Sequence, residues 1–167
     1  MAPFAKLRRR SKFLMSESPI STPCVGRCST VFGDLVCRGC KRFLHEVVDW
    51  NRYPDTQKQA VWQRLDQLLD QVMRAHVEVF APQRLAEALQ SHRLDGSGRP
   101  AYCQAYLLIS RVQRLGSLAA CGISLLPAFA DWPLPRLRDA IDDAYFVLSE
   151  AHYQRYIVPA APAKKRP

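Results

Sequence analysis

No stretch of this chain stays apolar for the roughly 18–20 residues that a bilayer-spanning helix needs, so no membrane span is expected. Sustained strand-like alternation is missing, which argues against a sandwich or a barrel. No internal repeat occurs, which removes a solenoid or a propeller. Glycine is scarce, with seven residues in 167, and none builds a phosphate loop. Gly96-Ser97-Gly98 runs into Arg99-Pro100 rather than into a lysine opening a helix, so it reads as a linker. There is no HExxH or ExxH pattern, no readable Ser-His-Asp arrangement and no paired-carboxylate signature. No catalytic residues can therefore be named, and the reading leans away from an enzyme. The basic amino terminus is not followed by a long apolar segment or a small-residue cleavage site, so it does not read as a secretory signal. A cytoplasmic, reducing location is expected by default. In such a compartment six cysteines point to metal binding or free thiols rather than disulfides.

What the chain does have is a basic balance, formally +9, and its position matters. Lys6, Arg8, Arg9, Arg10 and Lys12 precede the first acid, Glu17, and Lys164, Lys165 and Arg166 close the chain. These eight tail charges leave 16 basic residues against 15 acidic ones, so the body is nearly neutral. Basic tails can hold phosphate backbones or anionic membrane surfaces. More often they are solvated ends.

Four cysteines fall in the pattern C-x3-C-x8-C-x2-C: Cys24, Cys28, Cys37 and Cys40. Two close pairs joined by a short loop can bring four sulfurs to one point. Four thiolates at one point suit a structural zinc ion or an iron–sulfur cluster. Spacing does not decide between the two. A module this short needs such a staple, because folded units below about 40 residues rarely bury enough apolar surface alone. Four thiolates on one zinc carry net negative charge. Arg38, Lys41 and Arg42 are the candidate side chains around the centre, with Arg27 also close in sequence. Ser29–Phe32 facing Leu35-Val36 across Gly33-Asp34 can form a short hairpin linking the cysteine pairs. A Cys37–Cys40 redox pair would leave Cys24 and Cys28 without a role and lacks a βαβ context.

The segment Pro23-Cys24…Cys28, then Cys37-Arg38-Gly39-Cys40, Glu46 and Trp50 resembles the YdhL-like family over about residues 21–65. That family is a small bacterial domain of unknown function described as a predicted iron–sulfur protein. The resemblance implies a cysteine-ligated centre held by Cys24, Cys28, Cys37 and Cys40, and it raises the iron–sulfur option. It implies nothing for residues 66–158.

Beyond the cysteines the expectation is mainly α, a four-cysteine module followed by a helical bundle. Residues 1–20 and 159–167 are expected to be disordered basic tails, 21–54 the metal-binding module and 55–158 the helical domain. A short helix is expected over Lys41–Trp50, with Trp50 as a core residue and Glu46 placed to pair with Arg42. Asp55 or Thr56 is the expected cap of the next helix. That helix carries one stripe through Val61, Leu65, Leu68, Leu69, Val72, Met73, Val77 and Phe80. A short helix begins at Pro82, another runs from Tyr102 to about Leu115, and a last one from about Leu134 to Tyr156. His45 reads as a partly exposed helix residue, and Cys103 and Cys121 as small packing residues. His76 and His152 lack the spacing for a second metal site.

Three functions remain open on the sequence. The first is a structural metal module on a helical domain that binds a protein partner. The second is an iron–sulfur electron-transfer or redox-sensing protein. The third is a zinc-knuckle nucleic-acid binder using the Arg8–Arg10 tail, which the sequence supports least for want of visible exposed aromatics.

Overall fold

A computed structural model describes residues 20–159, so most of both expected tails lies outside the described residues. Five α-helices and one two-stranded sheet make up the regular structure: α1 Leu44–Val48, α2 Asp55–Arg74, β1 Val77–Val79, α3 Pro82–Ser91, α4 Ala101–Arg111, β2 Ile123–Leu125 and α5 Leu134–Tyr156. The protein is mainly helical, as its periodicity requires.

The central element is α2, which packs against both α4 and α5. Its stripe of Val61, Leu65, Leu68, Leu69, Val72 and Met73 is buried. From the other helices come Leu85, Leu89, Leu108, Ile109, Leu137 and Ile141. Each such side chain stabilises the fold by about 1.5–3 kcal/mol on burial. The Tyr145 hydroxyl donates to the Leu65 carbonyl at 3.0 Å, tying α5 to α2. Trp50 belongs to this same core, and Ile20 packs against it. Trp50 thus ties the end of the cysteine module into the helical core.

The stripe does not continue as helix to Phe80. α2 stops at Arg74, and β1 follows, paired antiparallel with β2 in the register Val77↔Leu125, Glu78↔Ser124 and Val79↔Ile123. Val77 is still buried, but as a strand residue, and Phe80 is largely exposed. Two β-branched valines three residues beyond a helix end suit a strand once a partner is near. That partner is supplied by Gly122, whose φ of +75° turns the chain into β2. A side chain at Gly122 would collide with the Ala81 carbonyl oxygen, while the Phe80 N–H donates to the Gly122 carbonyl at 3.0 Å. α4 ends at Arg111, four residues short of Leu115, and the small-residue stretch Gly116–Gly122 lies beyond it.

Two local expectations are corrected here. Pro54, not Asp55 or Thr56, precedes α2 as its cap residue, and no side chain caps it. The hairpin over Ser29–Val36 does not form. Thr30–Phe32 is a single 3-10 turn closed by Gly33, and Val36 pairs instead with Phe43. Among the described residues no helix is long and apolar enough to cross a membrane.

Candidate metal centre

The bridge between Val36 and Phe43 makes a tight turn out of the second cysteine pair. The Cys37 N–H donates to the Arg42 carbonyl at 2.8 Å, and the Leu44 N–H to the Leu35 carbonyl at 2.8 Å. The Lys41 N–H closes the turn on the Cys37 carbonyl at 2.7 Å. Lys41 is left-handed, at φ +59°, a conformation that L residues other than glycine rarely adopt. This winding turns backbone N–H groups toward sulfur. Burial alone would raise the Cys37 thiol, but hydrogen bonds from the backbone at Cys40, Ser29 and Gly39 and from the Cys40 side chain bring it down to about 7. Backbone donors of this kind favour a thiolate, the form that ligates metal.

The first pair reaches the turn through Gly39. A Cβ there would collide with the Arg27 carbonyl oxygen and stand 3.0 Å from Val25 Cγ2, so the Cys24–Cys28 loop lies directly on the Cys37–Cys40 turn. The Arg38 N–H donates to Ser29 Oγ at 2.8 Å, and the Cys37 thiol faces the Arg27 carbonyl at 3.8 Å. Cys28 Sγ lies 3.0 Å from Thr30 Oγ1. Cys24, Cys28 and Cys40 border one cleft of about 980 Å³, whereas Cys37 is buried and does not line it. The sulfurs do not form a closed set as placed. Among the described residues, no three His, Cys, Asp or Glu side chains are grouped tightly enough to hold an ion.

The three cationic residues named from sequence take different roles. Arg38 is 65 % exposed, pairs with Asp34 at 3.1 Å and stacks on Phe146. Lys41 is 1 % exposed, and its ammonium donates to the Arg38 carbonyl at 2.6 Å and to the Asp142 carboxylate on α5. Asp142 also accepts from the Tyr106 hydroxyl at 3.3 Å, so the turn is anchored to α4 and α5. Arg42 alone meets a sulfur. It is 3 % exposed, and its Nε donates to Cys40 Sγ at 3.3 Å. It lies over the Trp50 ring, and its Nη1 has no hydrogen-bond partner. Burial raises the Cys40 thiol, while Arg42 pulls the other way.

Glu46 does not pair with Arg42. It accepts from the Phe43 N–H at 2.9 Å and from Arg64 on α2 at 2.6 Å. Arg64, stacked on Phe43, and Asp142 are the residues that sequence reading missed. Their partners lie 18 and 101 positions away, beyond any local pattern. His45 is exposed on α1 and Trp50 is buried, as expected. Cys103 is buried in the core and Cys121 is half-buried, both far along the chain from the turn.

No curated protein and no solved structure matched this chain. Residues 22–69, which take in the cysteine segment and α2 as far as Leu69, match a family model described as a protein of unknown function, DUF1289.

Proposed function

We propose that Cys24, Cys28, Cys37 and Cys40 bind one metal centre, and that the protein is a metal-binding module built onto a helical interaction domain. The observation that carries this reading is Arg42. A buried guanidinium is costly without a counter-anion, yet among the described residues no carboxylate reaches it and its one polar side-chain partner is the Cys40 sulfur. Ligation deprotonates a thiol outright, and a thiolate at Cys40 supplies the missing anion. The docking of Arg27 on Gly39 adds support, because it apposes the loops that carry the two cysteine pairs.

The donor set fits either centre. Zinc would close a tetrahedron with bonds of about 2.3 Å and leave no position for substrate, a structural role. An iron–sulfur cluster would give the module redox chemistry, with hydrogen bonds to sulfur setting its potential. Protein purified without air decides the matter. Iron with acid-labile sulfide and a visible charge-transfer band supports the cluster. One zinc per chain and no colour supports the structural site. A chain with neither refutes the proposal.

A further inference from the structure

We propose that the cleft between the cysteine loops and the bundle is a groove for single-stranded nucleic acid. Its cationic wall comes from Arg27 in the first cysteine loop, Arg111 at the end of α4 and Arg138 on α5. Arg27 and Arg111 make no ion pair among the described residues. Arg138 spends its donors on the Ile109 and Val112 carbonyls, which leaves its charge without an acid. The acids on the same walls are Asp139 and Asp142, and Asp142 is already held by Lys41 and Tyr106. Guanidinium charge therefore exceeds free carboxylate inside the recess. Phe32, which also lines the cleft, is 88 % exposed.

The body is nearly neutral as a whole, yet Arg27, Arg38, Arg99, Arg111 and Arg138 all line this cleft, beside an aromatic ring left in water. Arginines that hold phosphates together with an aromatic face for bases are the parts a single strand needs. A volume of about 980 Å³ stands at the upper end of small-molecule pockets, about 300–1,000 Å³, and suits a chain segment entering from solvent. A membrane surface would call for cations ringed around the Phe32 tip, whereas these cations line a recess. The proposal uses the shape of the cysteine loops and not the identity of their centre, so metal content is scored separately.

The test is fluorescence anisotropy of the full chain with a labelled twelve-nucleotide uridine oligomer between 50 and 200 mM salt. Phe32→Ala should weaken binding on the order of tenfold at every salt concentration. Arg111→Gln, at the exposed end of α4, should lower the salt slope by about 0.7. Both should retain wild-type metal content and circular dichroism. A variant with Arg8, Arg9 and Arg10 changed to Gln separates tail from groove. The proposal is overturned if the wild type does not bind at 50 mM salt, if anionic vesicles bind but the oligomer does not, or if Phe32→Ala and Arg111→Gln bind as wild type while the tail variant loses all affinity.

Discussion

Gly39 and Arg27 are in backbone contact: the Arg27 carbonyl oxygen occupies the space that a side chain at position 39 would fill. This contact holds the first cysteine loop on the second cysteine turn. Gly39→Ala must push the two apart, and overpacking of this kind costs about 1–3 kcal/mol. The variant should purify with less metal than wild type and unfold at lower denaturant, as metal analysis and urea titration would read. Wild-type metal content in Gly39→Ala would mean that the loops need not touch.

Arg42 and Arg38 stand two positions either side of Cys40 and should behave differently on substitution. Arg42 donates to the Cys40 sulfur, whereas Arg38 points to Asp34 and solvent. Removing a partner that orients a metal ligand commonly lowers metal affinity about 10–100-fold. Arg42→Met should therefore release its centre to a competing chelator that much more readily, and Arg38→Gln should match wild type. Equal retention in both variants would remove Arg42 from the site.

The Lys41–Asp142 pair is asymmetric, with the ammonium 1 % exposed and the carboxylate half in water. Loss of Lys41 lets Asp142 hydrate, whereas loss of Asp142 leaves a buried ammonium unpaired. Asp142→Ala should cost about 3 kcal/mol and Lys41→Met clearly less. Urea unfolding of the two variants checks the order, and the reverse order would show that the pair is solvated from the other side.

Burial, reinforced by Asp66, pushes the Cys103 thiol from 9.0 up to about 12. Burial likewise raises the Tyr106 hydroxyl beside Asp142, and the Tyr145 hydroxyl between α2 and α5. Above pH 9 the unfolded chain gives up these protons while the folded chain keeps them. The unfolded state then binds fewer protons, so stability falls as pH rises from about 9 toward 12. Urea midpoints across that range should decline steadily, and Cys103→Ala should flatten the first part of the decline. In the native protein at neutral pH, Cys103 should resist iodoacetamide until the chain unfolds, as mass mapping would show.

The long helices were legible because burial repeats where the sequence repeats. α5 occupies Leu134–Tyr156 as its spacing requires, and the α2 stripe is buried from Val61 to Met73. The β1–β2 pair was not, since three-residue strands separated by more than forty positions leave no periodic trace. The cysteine hairpin was misplaced by one element. Gly33-Asp34 looks like a two-residue turn, but the ladder bonds go to Phe43 and Leu44 because the Cys37–Cys40 turn brings those residues back beside Val36 and Leu35. At the candidate centre, the residue types and the surrounding cations were visible in the sequence. Which cation meets sulfur was not, because Lys41, with its left-handed backbone, sends its charge to α5 and leaves Arg42 beneath Cys40.

Metal and sulfide analysis of anaerobically purified protein, set beside four single variants at Cys24, Cys28, Cys37 and Cys40 changed to Ser, tests the central claim most directly. The account predicts one centre per wild-type chain and a sharp loss of bound metal in all four variants, with Cys103→Ser unaffected. Metal-free wild-type protein, or a full complement of metal in every Ser variant, would contradict it.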